Sequence, residues 1–167
     1  MSLIAFAPTP LATLDVALLE TLPSTFRCLL IDEQILEPPE GGTQTAPTQQ
    51  KDEGALVNAA LASVTIFALP VEPRHFTIGR RDRCTVVIKD RRVSGSHAAM
   101  TPGNGGSYLL SDLGSANGTF VGTRCLSPKD VDGVVIAPGS TFILATVPVA
   151  FLDRAGLRAI MGTAFQR

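Results

Sequence analysis

The sequence has no tryptophan, a single tyrosine and eight phenylalanines among its 167 residues. Aromatic residues make up 5% of the chain, whereas hydrophobic residues of all kinds make up 45%. The core therefore has to be built mainly from Val, Leu, Ile and Ala. At this length we expect one domain with a real core, carrying extensions rather than a second domain of similar size.

Cysteine is scarce and dispersed. Cys28, Cys84 and Cys125 are odd in number, lie far apart and form no CxxC pair. Three dispersed cysteines do not suggest a disulfide framework, and without a CxxC pair they do not suggest a zinc site, so neither is predicted and no metal or cofactor is expected. The cysteine pattern fits a reducing compartment, and we expect an intracellular protein of the cytoplasm or nucleus.

Signals for membrane targeting are also missing. The N-terminus has no basic segment ahead of its apolar residues and contains Asp15, and the apolar stretch 56–71 is interrupted by Asn58 and Pro70. The sequence therefore predicts neither a signal peptide nor a membrane-spanning helix.

Charge is balanced overall but not locally. The formal net charge is −1, which argues against a surface built throughout to bind nucleic acid. Half of the fourteen basic residues nevertheless lie within residues 74–92, and this basic cluster calls for an anionic partner or for solvent. Its members are Arg74, Arg80, Arg81, Arg83, Lys89, Arg91 and Arg92.

The two ends of the chain carry helical signals. Thr9 followed by Pro10 is a typical helix start, and leucines then recur at helical spacing as far as Pro23. We expect an N-terminal extension over residues 1–23 containing a short amphipathic helix. Residues 153–167 are predicted to form a C-terminal tail with a short helix.

Between these ends the sequence predicts an all-β domain over residues 24–152. TFRCLLI is expected to be its first strand, and the low-complexity residues at about 36–55 a flexible insertion. Further β-rich runs recur at intervals of roughly ten residues, which is typical of a β-sandwich or barrel. These runs are SVTIFAL, RHFTIG, TVVIKD, SHAAM, SYLLSD, GTFVG, GVVIA and TFILATVPVAFL.

Three short motifs separate the strands: Gly79-Arg80 after a strand, Ser94-Gly95-Ser96-His97, and DLGSANGTF at residues 112–120. Consecutive loops of a sandwich gather at its ends, so Arg80, Ser94 and Asn117 are expected to meet. A guanidinium fork beside a hydroxyl and free loop amides can bind a phosphate group through several hydrogen bonds.

The three motifs in this order resemble the forkhead-associated (FHA) domain family, whose signature is Gly-Arg, Ser-x-x-His and Ser-x-Asn-Gly-Thr at matching intervals. The resemblance covers roughly residues 25–152. It implies a sandwich of about eleven strands in two sheets that recognises phosphothreonine in a partner protein. It also implies no catalytic residues, no small-molecule substrate and no membrane insertion.

The resemblance assigns roles to single positions. It implies that Arg80 contacts the phosphate, that Ser94 adds its hydroxyl, and that Asn117 binds the peptide backbone. Arg81 and Arg92 would tune selection of the flanking sequence, with Arg92 placed to contact an acidic side chain beyond the phosphothreonine. The positions implied to support the site structurally are Gly79, His97, Gly118 and Thr119.

Two positions depart from the family pattern. Gly95 stands where the family often has Arg, Lys or Asn, and Ala116 stands where it often has a phosphate-contacting threonine. Both substitutions remove side-chain donors. Either binding is weaker than is usual in the family, with the amide of Gly95 still available, or Arg92 or Ser96 compensates.

Alternative functions remain open. The fold could bind a partner without phosphate, as Gly95 and Ala116 allow, or the basic cluster could bind a polynucleotide, although nucleic acid is not the expected partner. A Ser94–His97–Asp112 hydrolase is disfavoured because the sequence offers neither a nucleophile elbow nor an oxyanion site.

Overall fold

The computed structural model of the protein describes residues 4–36, 63–129 and 133–165. Within these ranges twelve strands and two α-helices lie in the following order along the chain. The elements are β1 (Pro8–Pro10), α1 (Val16–Thr21), β2 (Arg27–Asp32), β3 (Val64–Ala68), β4 (Phe76–Gly79), β5 (Val86–Val87), β6 (Ala98–Pro102), β7 (Tyr108–Asp112), β8 (Thr119–Val121), β9 (Arg124–Cys125), β10 (Val134–Ile136), β11 (Thr141–Leu144), β12 (Val147–Asp153) and α2 (Arg154–Phe165).

The strands form two sheets, which confirms the predicted all-β sandwich. One sheet has seven strands in the order β1-β3-β2-β12-β11-β8-β9, and the other has five in the order β10-β7-β6-β4-β5. Neighbouring strands are antiparallel, except that β4 and β5 run parallel. No helix among the described residues is long and apolar enough to cross a membrane.

The main core lies between the sheets. Aliphatic side chains from both sheets fill most of it, as the composition predicts. Three of its aromatic rings make a chain of contacts across the sandwich: Phe76 of β4 lies 5.7 Å from Tyr108 of β7, which lies 5.7 Å from Phe151 of β12. Edge-to-face packing of this kind stabilises the fold by about 0.5–1.5 kcal/mol per pair, beyond the free energy gained by burying the rings.

A second core covers the outer face of the seven-stranded sheet. Leu19 of α1 and Leu157 of α2 are buried there against Cys28 and Ile66 of the sheet. Burial, with a smaller effect from Asp153, raises the pKa of Cys28 to about 12, so this thiol stays protonated as a small core residue. The helices therefore complete the hydrophobic layer of a sheet that would otherwise present an apolar face to water.

The N-terminal helix begins later than the sequence predicts. Thr9 pairs with Ile66 as part of the edge strand β1 and does not cap a helix. Asp15 is the residue that caps α1, since its carboxylate accepts a hydrogen bond from Ala17 N at 3.1 Å. Proline is tolerated in an edge strand because its missing N–H leaves no inner ladder bond unmade.

Two further points concern the predicted segments. The short strand β9 has no counterpart among the predicted runs. The predicted insertion at 36–55 lies outside the described residues except for Leu36, and the domain boundaries at 23, 24, 152 and 153 stay predictions.

Candidate functional site

Three connections lie together at one end of the sandwich: residues 80–85 after β4, residues 88–97 before β6, and residues 113–118 between β7 and β8. The first two are joined by backbone hydrogen bonds from Arg80 N to Ser94 O (3.0 Å) and from Arg81 N to Gly95 O (3.1 Å). The two loops therefore behave as one platform.

Gly79 permits this close approach. A Cβ atom at this position would overlap the carbonyl oxygen of Gly95 and lie 2.8 Å from the sulfur of Cys84. That sulfur in turn donates a hydrogen bond to the Gly95 carbonyl at 3.1 Å. The glycine before Arg80 is thus required by packing between loops and not by an unusual turn.

His97 joins the platform to the third loop. Its Nδ1 atom accepts a hydrogen bond from Ser94 N at 3.0 Å, and its Nε2 atom lies 2.9 Å from Gly118 O. An amide can only donate and a carbonyl can only accept, so the ring must be neutral with its proton on Nε2. Burial lowers the pKa of His97, opposed by the Gly118 carbonyl and by Asp112.

Stability of the folded protein is expected to fall as the pH drops below about 6.5, the usual value for histidine. The pKa of His97 is lower in the folded protein than in the unfolded chain, so acid protonates the unfolded chain first. The stability that neutral His97 contributes is therefore lost as pH falls through the folded pKa. Thermal unfolding between pH 7.5 and 5 measures this loss.

The only other histidine provides the control. His75 is exposed and bonds only to the Thr101 hydroxyl among its described contacts. His75→Gln should keep the pH dependence, whereas His97→Gln should flatten it. A pH profile that survives His97→Gln would contradict the assignment.

The Ser94 hydroxyl faces the third loop. Its Oγ atom accepts a hydrogen bond from Ala116 N at 2.9 Å, and His97 contacts Ser94 through the backbone amide only. This is not the contact of a nucleophile with its base, which would join Oγ to the ring. Among the hydrogen bonds of the described residues, none uses the Ser94 hydroxyl as donor.

Asp112 organises the third loop. Its carboxylate accepts from Gly114 N (2.9 Å), Ser115 N (3.0 Å), Ser115 Oγ (2.5 Å) and Thr119 Oγ1 (2.7 Å). Burial acts to raise the pKa of Asp112, but these four hydrogen bonds outweigh it and hold the pKa below its usual value. The sequence did not lead us to assign Asp112 to the binding site. The pattern that could have indicated its role is an Asp followed by Gly, Ser and Thr at the spacing of a turn.

Asn117 is exposed at the tip of this loop. Its side-chain Nδ2 donates to Arg92 O at 2.8 Å, which ties the third loop to the platform. The next residue, Gly118, has a φ of +91°, a left-handed conformation that a side chain would strain. Its carbonyl accepts from both His97 and Ala145 N.

Arg80 lies half-buried beside the platform. Its guanidinium donates to Arg91 O at 2.9 Å, and no salt bridge of the described residues involves it. The charge of Arg80 is therefore held in place by a neutral carbonyl and is not neutralised by a carboxylate.

Arg92 has a different environment from the one predicted. Its guanidinium donates to both oxygens of buried Asp90 (3.0 and 2.6 Å), to Thr146 Oγ1 (2.5 Å) and to Ile35 O (2.6 Å). Four bonds within the chain leave little capacity for a ligand, which speaks against the predicted contact with an acidic flanking residue. Ile35 and Thr146 both lie near the seven-stranded sheet, so Arg92 connects the loops to it.

The basic cluster is thus partly neutralised. Lys89 forms an ion pair with Asp82, and Arg92 forms one with Asp90. Arg80 and Arg81 have no such carboxylate partner in the part of the chain that the structure describes. Both arginines adjoin Ser94 and Gly95, through the backbone bonds of the platform.

The remaining predicted positions lie within the same three loops or next to them. Ala116 contributes its amide to Ser94, and Thr119 is fully buried with its hydroxyl on Asp112. Ser96 is half-buried between Gly95 and His97. The structure therefore brings Arg80, Ser94 and Asn117 to one end of the sandwich, as the loop argument predicts.

These features define an all-β sandwich with a cationic loop cluster held together by a buried histidine. The predicted family resemblance is confirmed: the family model of the FHA domain matches residues 76–145. That segment contains all three motifs and the loops described above.

The chain is also similar to individual proteins. The chain is 41% identical over 54 residues to an Arabidopsis thaliana homolog of protein phosphatase 1 regulatory inhibitor subunit PPP1R8, a match covering 32% of this chain and only 15% of that protein. The FHA domain of the Chlamydia trachomatis protein CT664 is 21% identical, with a TM-score of 0.48, over 76% of this chain and 97% of that one. Mycobacterium tuberculosis EmbR, solved with a low-affinity phosphopeptide, is 23% identical with a TM-score of 0.43, over 52% of this chain and 21% of that one.

Proposed function

We propose that the three loops bind a phosphothreonine peptide, and that the protein is an interaction module for phosphorylated partners. The observation that carries the proposal is the pairing of an uncompensated guanidinium, Arg80, with a hydroxyl, Ser94, whose hydrogen is not used within the described chain. The match to the FHA domain family supports the same function.

The hydrogen-bonding state of Ser94 suits a phosphate. Its oxygen already accepts the Ala116 amide, which orients the hydroxyl and leaves its hydrogen to donate. A phosphate oxygen accepts such a bond well, while Arg80 offers a planar fork to two further oxygens. The platform is therefore pre-organised for a tetrahedral anion.

Asn117 fits a contact with the peptide main chain. One N–H of its Nδ2 is used by Arg92 O, so its second N–H and its carbonyl oxygen remain for a ligand, as donor and acceptor to a peptide backbone. Exposure of Asn117 and Ala116 leaves this loop accessible from solvent.

The expected affinity is moderate. Each charge-assisted hydrogen bond contributes about 1.5–3 kcal/mol net, and a micromolar complex requires about 8 kcal/mol. Two or three bonds to the phosphate and a few to the backbone reach that range after the cost of ordering the peptide. Removal of the phosphate should consequently abolish most of the binding.

Calorimetric titration with a phosphothreonine peptide library, alongside the same peptides unphosphorylated, tests the proposal. We expect phosphorylation to strengthen binding by about 100-fold, since two charge-assisted bonds are at stake. Arg80→Ala should remove most of this difference. Arg74→Ala changes an exposed arginine of the same basic cluster that precedes β4 and lies outside the three loops, so it controls for net charge and should change little.

Two results would contradict the proposal. Equal binding of phosphorylated and unphosphorylated peptides would indicate a partner recognised without phosphate. Binding to arbitrary polynucleotides that weakens steeply with salt, in the absence of peptide binding, would indicate a nucleic-acid surface instead.

A further inference from the structure

Arg81 occupies the space in which a side chain at position 95 would begin. A Cβ atom built on Gly95 would lie 2.6 Å from Arg81 Nε, 3.0 Å from its Cδ and 3.1 Å from its Cγ. The backbone amide of Arg81 is fixed to the Gly95 carbonyl at 3.1 Å. The arginine side chain therefore crosses the platform directly over Gly95, and the absence of a side chain there is what lets it do so.

Charge distinguishes Arg81 from Lys89 and Arg92. Lys89 and Arg92 are neutralised by aspartates, whereas no salt bridge or side-chain hydrogen bond of the described residues uses the Arg81 guanidinium. Two consecutive arginines, 80 and 81, thus flank the dipeptide Ser94-Gly95 without a carboxylate. Both side chains are cationic, and a phosphate group carrying about −1.5 to −2 charges offsets positive charge of this kind.

We propose that Arg81 is the second cation of the phosphate site and supplies, from the adjoining loop, the side-chain donor that position 95 lacks. This inference rests on the proposed phosphopeptide function and replaces the flanking-sequence role that the resemblance implies for Arg81. Phosphate then binds between Arg80, Arg81 and the Ser94 hydroxyl. Glycine at position 95 thus leaves room for the Arg81 side chain and does not reduce the number of donors at the site.

An exchange of the two positions follows from this geometry. Gly95 is not among the residues with positive φ, so its backbone accepts a side chain without strain. The nearest atoms to a new Cβ all belong to the flexible arm of Arg81. A basic residue at position 95 should therefore be accommodated once that arm is removed, and should carry its charge to the same place.

The test compares wild type, Arg81→Ala and the double variant Arg81→Ala with Gly95→Arg, with a tight phosphothreonine peptide and its unphosphorylated form. We expect Arg81→Ala to weaken phosphopeptide binding by about 10- to 100-fold, the effect of one charge-assisted bond, and to leave weak unphosphorylated binding unchanged. The double variant should regain most of the affinity. Arg74→Ala, outside the three loops, again controls for net charge, and thermal unfolding verifies that each variant is folded.

A peptide series in which each acidic flanking residue is made neutral separates phosphate binding from flanking selection. If the Arg81→Ala loss persists with every neutral-flank peptide, Arg81 acts on the phosphate. If the loss disappears when one flanking acid is neutralised, Arg81 contacts that residue and the inference is wrong.

The outcomes also separate this inference from the proposed function. A wild-type protein that binds both peptide forms equally disproves the phosphopeptide function itself. The role of Arg81 alone is overturned by two other results, provided that wild-type binding requires phosphate and Arg80. In one, the affinity of Arg81→Ala for the phosphopeptide lies within about twofold of wild type. In the other, the double variant is folded but regains no affinity.

Discussion

Replacing Arg92 by alanine is expected to lower the free energy of unfolding by about 3–5 kcal/mol, because it removes the ion pair that Arg92 forms with a buried carboxylate. Asp90 is fully buried, and Arg92 contacts both of its oxygens. Removing one partner of such a pair costs far more than the pair contributes as a whole, since the remaining charge stays desolvated. The variant also loses the bonds from Arg92 to Ile35 O and Thr146.

Urea unfolding of Arg92→Ala beside Lys89→Ala measures the difference. Lys89 and Asp82 form an ion pair of the same basic cluster, but their side chains are 53% and 88% exposed. An exposed pair contributes at most about 1 kcal/mol, so Lys89→Ala should have a small effect. The opposite result is an Arg92→Ala variant that is as stable as wild type but has lost its preference for acidic flanking residues. That result would support the role in flanking-sequence selection that the sequence predicts for Arg92.

The contrast between Arg80 and Arg92 shows what a sequence can and cannot predict about this site. The succession of strands along the chain follows from the β-rich runs, and the meeting of Arg80, Ser94 and Asn117 follows from the rule that loops of a sandwich gather at its ends. The partner of each arginine does not follow from such patterns. Asp90 is only two residues from Arg92 in the sequence, yet its burial comes from tertiary packing.

The same limit applies at Gly95 and at the N-terminus. Sequence comparison alone shows Gly95 as a missing donor, because a glycine has no side chain to count; only the position of Arg81 above it reveals how the space is used. Thr9-Pro10 is a helix start by local propensity, but pairing with β3 at the sheet edge outweighs that preference. Local signals decide the class of each element, and tertiary contacts decide how single residues are used.

Asp112→Ala is expected to destabilise the protein by about 3 kcal/mol and to abolish phosphopeptide binding. The substitution leaves the fully buried Thr119 hydroxyl and two loop amides without an acceptor, and each such group costs about 1–3 kcal/mol where water cannot replace the lost bond. Gly114 is an exposed residue, so we expect water to replace part of the bonding of its amide and the total to stay below the sum. The Ser115 hydroxyl donates to Asp112 and accepts a hydrogen bond from Gly118 N, so it loses its fixed orientation in the variant. The loop that places Ala116 N against the Ser94 hydroxyl is then no longer held in its conformation.

Acid unfolding provides a second measurement of the same carboxylate. The folded-state pKa of Asp112 lies below its usual value, so its contribution to stability is present above about pH 4 and is lost as pH falls through the folded pKa. Asp112→Ala should therefore remove part of the stability change below pH 4, whereas Asp82→Ala, which changes an exposed carboxylate, should not. If Asp112→Ala instead binds phosphopeptide normally while merely unfolding at a lower temperature, the loop holds its shape without the carboxylate, and the link from Asp112 through Ala116 to Ser94 is disproved.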